Sequence, residues 1–463
     1  MKLFVQFAVL LHLTLVSQAF AKPRRLDTRI LEPSDDDLRL NDRGELVGEL
    51  YDERGTLRRN SRIDLQSRQN PSFNFGGSTK VRGVNLGGWL VSEPWITPSL
   101  YDNTGDSRVI DEWTMGQYVS DACSRLSSHW ASFITQSDFN QIAAANLNFV
   151  RIPIGYWAID STHGNYCKGS QLSYLKKAVT WARSAGIKVM IDLHGAPGSQ
   201  NGFDNSGKKG LLNWFTQSSY STRAKTVVQT LAQTFSGDAD TVVAIELLNE
   251  PLTTSGPSNA LSFTNDYYNN AYYAVRYPSG NTASNFAIAI HDGFQSLSYW
   301  ANKFQPPNYQ QVILDTHIYS VFTNAQVAYT QSQRSNYYCS QSNNIVTSNT
   351  HLYTLVGEWT MAPTDCAKYL NGRGIGSRYD GGFSGSTRIG SCTNKTGSGS
   401  NFSNSYKAYL KQMFDTQRKV YEKGIGWIMW TWKTEQAADW DYQKGLHYGY
   451  ITTNLDSFGS SAC

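Results

Sequence analysis

Hydrophobic positions along the chain fall into two alternating kinds of segment. Short, near-continuous apolar runs occupy 81–87, 149–155, 188–195, 242–250, 286–293, 312–319, 353–359 and 426–433. They are rich in β-branched residues and lack the polar alternation of a half-exposed strand, as expected of parallel strands covered on both faces. Helical patterns lie between them, among them 171–184, 222–235 and 403–422. Eight strands alternating with helices predict an α/β chain folded as a (β/α)8 barrel with enlarged loops. A doubly wound open sheet is the competing arrangement. It usually carries a glycine-rich turn after its first strand, whereas Gly372-Arg373-Gly374-Ile375-Gly376 lies far downstream and reads as a loop.

Two N-terminal segments fall outside this pattern. Met1-Lys2 is followed by an apolar run to Val16 and by Ala19-Phe20-Ala21, which reads as a signal peptide over residues 1–21. The run is shorter than the ~20 residues a membrane-spanning helix needs. Between Lys22 and Gln69 stand eleven basic and eleven acidic residues, with Tyr51 the sole aromatic. So little apolar surface does not offset the entropy of ordering the chain, and residues 22–71 are expected to be a flexible leader or pro-segment. Arg24-Arg25 and Arg58-Arg59 are dibasic pairs open to a processing protease. The catalytic domain is expected to span residues 72–463, giving a secreted, soluble protein of the extracellular space or cell wall.

Composition narrows the ligand. Of 463 residues 17% are charged and 13% aromatic, and the net charge is only +4. No field of this size points to nucleic acid, while many aromatics with few charges suit a neutral sugar. In an oxidising compartment the six cysteines, Cys123, Cys167, Cys339, Cys366, Cys392 and Cys463, are disulfide candidates. Fifteen pairings are open on sequence alone. No CxxC, HExxH, HxH or GxSxG spacing occurs, so no metal or serine-hydrolase chemistry is implied.

Function in such a barrel sits where strands end, and these ends are polar. They carry Arg151, Asp192 and His194, Asn249-Glu250-Pro251, His291-Asp292, Asp315 and His317 with Tyr319, Glu358-Trp359, and Trp427, Trp430 and Trp432. Glu250 and Glu358 end strands four and seven, roughly opposite on a small barrel and aimed into one pocket. Acetal hydrolysis needs this pairing, one carboxyl to protonate the leaving oxygen and one to attack or to activate water.

Asn249-Glu250-Pro251 and Gly357-Glu358-Trp359 resemble the signatures of glycoside hydrolase family 5. Four longer stretches resemble its fungal-type exo-β-1,3-glucanases: Val81 to Trp89, Asp192 to Gly202, Thr364 to Gly372, and Trp430 to Glu435. The resemblance covers residues 72–463 and leaves out the charged leader. It implies Glu250 as acid/base, Glu358 as nucleophile, and Asn249 bonded to the sugar 2-hydroxyl. Arg151 would keep Glu358 ionised, and His317 and Tyr319 would orient the two carboxyls. His194 and Glu93 would line the terminal sugar site above Trp430, with Asn205 a further sugar contact. Phe203 and Phe322 would clamp the next sugar at the entrance. Trp95 stands where many relatives carry tyrosine, so the tyrosine's hydrogen bond is lost or taken over by the indole N–H.

The resemblance also implies the bridges Cys366–Cys392 and Cys339–Cys463, leaving Cys123 with Cys167. Asn394-Lys395-Thr396 and Asn401-Phe402-Ser403 are glycosylation sequons in a Gly/Ser-rich loop. The activity implied is retaining release of glucose from the non-reducing ends of β-1,3-glucan, by a monomer needing no cofactor. A β-1,6 or endo preference, transfer of glucosyl groups, and a non-catalytic glucan-binding barrel are the alternatives.

Overall fold

In the computed structural model the backbone is described for residues 38–40, 46–51, 57–63 and 72–463. The expected signal peptide lies outside the described residues. Within the charged leader, Leu38–Leu40, Leu46–Tyr51 and Leu57–Ile63 pair as a three-stranded antiparallel sheet, a unit separate from the remainder.

From residue 72 onward the apolar runs become eight parallel strands. These are β1 (Val81–Asn85), β2 (Phe149–Gly155), β3 (Lys188–Gly195), β4 (Val242–Glu246), β5 (Ala287–His291), β6 (Val312–Ile318), β7 (Tyr353–Trp359) and β8 (Gly426–Met429). Each pairs with its sequence neighbours, and β8 pairs with β1 to close the barrel. Inside, Val81, Phe149, Met190, Ala244, Ala287, Ala289, Ile313, Leu355 and Ile428 form a buried cluster that mixes small and large side chains. Phe73 and Phe75 plug one end of it, their rings edge-on to Phe149 at 5.7 and 6.3 Å. Helices such as Gln171–Ala185, Ser218–Thr234 and Asn404–Tyr421 bury one apolar face against the outside of the strands. The first of these stops at Gly186, whose φ of +72° favours glycine.

Five strands are shorter than the apolar pattern predicts: β1, β4, β5, β6 and β8 end at Asn85, Glu246, His291, Ile318 and Met429. The backbone leaves the ladder at the rim and finds other acceptors. Asn249 N–H donates to Leu193 O at 3.0 Å, Trp430 N–H to Trp359 O at 2.9 Å, and Trp432 N–H to Asn85 O at 3.0 Å. Glu250 and Trp430 therefore sit on the first turns beyond their strands.

The cysteines are joined as Cys123–Cys167, Cys339–Cys463 and Cys366–Cys392. The second bridge closes a loop of 124 residues and ties the C-terminus to the helix Gln331–Asn349. Changing both its cysteines to serine is expected to cost about 2–4 kcal/mol of stability. A lowered melting temperature with unchanged room-temperature activity is the expected reading, because the bridge lies away from the strand ends. No helix of the described residues is long and apolar enough to cross a membrane.

Candidate active site

Strand register sets polar groups level with one another around the barrel mouth. Asn85 is paired with Arg151, Asp192 with Glu246, His291 with Asp315, and His317 with Glu358. The last pairing requires a bulge at Gly357. Gly357 N–H donates to Asp315 Oδ1 at 2.7 Å, and a Cβ there would lie 2.1 Å from that carboxylate, so only glycine permits the bulge that aims Glu358 inward.

Arg151 is the hub. Its fully buried guanidinium donates to Glu246 at 2.6 Å, Asn85 at 3.0 Å, Glu358 Oε1 at 2.9 Å and Asn249 Oδ1 at 2.8 Å, and lies 3.1 Å from Asp192. Glu358 Oε2 accepts from Tyr319 Oη at 2.9 Å. Glu250 Oε1 lies 2.7 Å from His317 Nδ1, and that same nitrogen is 3.4 Å from Glu358 Oε2. The two carboxylate oxygens are therefore no further apart than these two contacts laid end to end. Both residues are buried, Glu250 7% and Glu358 5% exposed. Glu250 adopts φ +45°, a left-handed conformation that a non-glycine residue seldom takes and that turns its side chain back over the barrel.

Burial pushes Glu358 up to about 7, and the charge of Glu250 adds to it, against His317 and Arg151. Burial also raises Glu250, but the hydrogen bond and charge of His317 outweigh it and leave it lowered. His317 is itself raised, its carboxylate neighbours overcoming the desolvation that lowers it. Taken group by group, this puts the shared proton on His317 or Glu358, the reverse of the order that acid catalysis by Glu250 demands. Glu358 receives a guanidinium and a hydroxyl, donors that favour its anion, and Glu250 lies 2.7 Å from His317 Nδ1, close enough for the two to share a proton.

The remaining predicted residues lie around this pair. Asn205 Nδ2 reaches Glu250 Oε2 at 3.4 Å. His194 stacks on Trp430 at 5.4 Å and bonds Asp192 through Nδ1 at 2.6 Å, which leaves its Nε2 buried and unpartnered. Burial, with Arg151 next, lowers His194 to about 3, so it is a neutral ring with an acceptor facing the pocket. Trp95 spends its indole N–H on Glu93 Oε2 at 2.9 Å, leaving Glu93 Oε1 buried and unpartnered. Asn249 Nδ2 is likewise unpartnered. Phe203 and Phe322 are the exposed rings, 45% and 41% accessible. Asn394 and Asn401 lie exposed in the loop before the helix Asn404–Tyr421.

The sequence reading passes over Glu246, Asn85 and Trp440. Glu246 hides at the end of an apolar run, and a lone acid there was its only signal. Asn85 sits within the Val81 to Trp89 stretch but shows its role only through Arg151. Trp440 lies well beyond β8, yet it packs against Trp95 at 5.1 Å, Tyr319 at 5.8 Å and Phe322 at 6.3 Å, extending the aromatic wall. Glu250, His291 and His317 bring possible metal-ligating atoms within 4.8 Å of one another, as do Glu246, Asp315 and His317. A cation at either place would sit beside the buried charge of Arg151 and displace hydrogen bonds already made.

A barrel that gathers two buried carboxyls at its rim, one on a guanidinium and the other on an imidazole, with sugar-sized aromatic walls, defines a glycosidase-type site. Residues 115–372 match the Cellulase family (glycosyl hydrolase family 5). The chain is 46% identical over 383 residues to the "Probable glucan 1,3-beta-glucosidase A" of Aspergillus niger, covering 82% of this chain and 89% of the relative. It is 44% identical over 405 residues to the "Glucan 1,3-beta-glucosidase" of Blumeria graminis, covering 85% and 91%. Among solved structures, the rutinosidase from Aspergillus niger shares the fold, with a TM-score of 0.63 at 20% identity over 81% of this chain and 98% of that one. The chain belongs to glycoside hydrolase family 5, and it is a glycoside hydrolase.

Proposed function

We propose that this enzyme is a secreted, retaining exo-β-1,3-glucanase that releases glucose from non-reducing ends of β-1,3-glucan. The carrying observation is the closeness of Glu250 and Glu358, both in contact with His317 Nδ1 at 2.7 and 3.4 Å. Inverting enzymes separate their carboxyls by ~6.5–9.5 Å to admit a water between acid and base, and retaining ones by only ~5–5.5 Å. The glucan itself is taken from the relatives' names. Three disulfides fit an oxidising compartment.

In this reading the terminal glucose lies on Trp430, with His194 Nε2, Glu93 Oε1 and Asn249 Nδ2 meeting its hydroxyls. Each of these atoms is buried without a protein partner, so a sugar hydroxyl removes a desolvation cost as it binds. Glu250 gives its proton to the glycosidic oxygen as Glu358, steadied by Arg151 and Tyr319, attacks C1. The C1–O bond breaks and a glucosyl ester forms on Glu358. Glu250, now a carboxylate, takes a proton from water, which attacks C1 on the same face the leaving group left. Glu358 departs, and the β configuration is kept. Phe203 and Phe322 flank the mouth and grip the next sugar by ring stacking.

The test is digestion of a linear β-1,3-glucan beside a β-1,6-glucan, with the first products separated by size. Glucose alone from the β-1,3 polymer is expected. Longer fragments would place the cut inside the chain, and digestion of the β-1,6 polymer alone would overturn the linkage.

The pH profile follows from the same groups. The acid must be protonated and the nucleophile ionised, so kcat/KM is expected to be bell-shaped in pH. Removing the Tyr319 hydroxyl with Tyr319→Phe takes a donor from the Glu358 anion and is expected to shift the acidic limb upward. An unmoved limb would show that Tyr319 does not hold the nucleophile.

A further inference from the structure

Glu112 is a fully buried carboxylate with no part in the chemistry above. It opens the helix Glu112–Tyr118 and turns inward. Its Oε1 accepts from Trp157 Nε1 at 2.8 Å. Its Oε2 accepts from the backbone N–H of Ser92 at 2.8 Å and from Ser92 Oγ at 3.0 Å. One partner belongs to, and the other packs beneath, a loop that supplies sugar contacts. Ser92 adjoins Glu93 and Trp95 after β1, while Trp157 underlies the loop carrying Phe203 and Asn205.

The second link is a matter of close approach. A Cβ on Gly207 would lie 2.4 Å from the Trp157 ring, and one on Gly195, at the end of β3, would lie 2.7 Å from it. The indole is thus flush with the backbone on both sides of the Phe203 loop. Its outer face is covered by Tyr166, stacked at 3.9 Å and 5°, next to the bridged Cys167. The residues on either side of Glu112 grip the same loop directly. Asp111 Oδ2 accepts from Lys209 N–H at 2.7 Å, and Trp113 N–H donates to Gly207 O at 2.9 Å.

We propose that Glu112 is a positioning residue for sugar binding: through Ser92 and Trp157 it locks the Glu93 loop and the Phe203–Asn205 loop into one spacing. This rests on the exo-glucanase reading. A carboxylate shared by donors from two loops fixes their separation more tightly than either loop's own contacts, because each N–H would otherwise be buried without an acceptor. Nothing in this link touches Arg151, His317 or Tyr319, so the reaction centre keeps its geometry when the link is cut.

The experiment compares KM and kcat for a β-1,3-linked glucose trisaccharide in the wild type, Glu112→Gln and Trp157→Phe. Wild-type turnover is measured first, and its absence would count against the functional reading rather than against Glu112. Glutamine cannot accept from both loops, because its amide nitrogen opposes one of the donors. Phenylalanine removes the indole N–H together with the benzo edge that meets the two glycines, so it cuts this side of the link while leaving Glu112 in place. Both variants are expected to raise KM by roughly tenfold, the loss of one buried hydrogen bond's worth of positioning, with kcat within about threefold of wild type. Unchanged KM in Trp157→Phe would overturn the proposal and leave Glu112 a stabilising acid alone, whatever its variant does to the melting temperature. A fall in kcat without a rise in KM would overturn it too, by placing the effect at the reaction centre. If Glu112→Gln does not fold, Trp157→Phe decides.

Discussion

Glu358→Gln is expected to lower kcat by roughly four to six orders of magnitude while glucan still binds. The amide matches the carboxylate in size, so the pocket keeps its shape, but it offers no anion to attack C1. It also turns an N–H toward Arg151 or Tyr319, where the native oxygens accept at 2.9 Å each. The companion Glu250→Gln separates the two steps. A β-glucoside whose leaving group departs without a proton should still form the ester on Glu358, and the ester should then persist because nothing activates water. Rapid mixing with mass spectrometry of the intact protein reads this as a burst followed by a glucosyl adduct. A Glu358→Gln enzyme that turns over freely would remove the nucleophile assignment, and a Glu250→Gln enzyme indifferent to the leaving group would remove the acid.

Arg151→Met is expected to be the most damaging change outside the carboxyl pair, lowering stability by about 3–5 kcal/mol along with activity. Arg151, Asp192 and Glu246 are wholly buried, and the guanidinium is within 3.1 Å of both acids as well as of Glu358. Its removal strands several carboxylates in an apolar setting, where each must take a proton or unfold the rim. Glu358 loses a donor that favours its anion, so activity should fall beyond what destabilisation explains. Arg151→Lys should recover little, since a single ammonium does not span Asn85, Glu246, Glu358 and Asn249 at once. Chemical denaturation followed by tryptophan fluorescence checks the first expectation, and kcat/KM on the folded fraction checks the second. A variant as stable as wild type would mean that the buried acids are already neutral.

The barrel was legible because parallel strands buried on both faces must be continuously apolar, and the eight runs have no other use. Their ends were less so. The apolar pattern continues through Leu247 and Leu248 toward Glu250, and nothing in residue type reveals that the ladder stops at Glu246 or that Glu250 takes a positive φ. The paired glutamates could be read because an acid ending an apolar strand is unusual, and neighbours such as Asn249 and Trp359 carry a family resemblance. What holds them could be read only in part. Arg151 shows as a charge in a strand, but its partners within 3.1 Å come from four other strands or strand ends, and that convergence exists only once the barrel closes. Trp440 and Glu112 carry no local signal at all. One is an aromatic among many in a loop, the other an acid at a helix start, where acids are common.

The central claim is that Glu250 and Glu358 act as a close pair through a covalent intermediate. The most direct test is an NMR time course of glucose released from a linear β-1,3-glucan, recorded before mutarotation. Glucose appearing first as the β-anomer is the predicted result, since two inversions at C1 restore the starting configuration. The α-anomer appearing first would mean a single displacement by water, and would contradict the assignment of Glu358 as nucleophile.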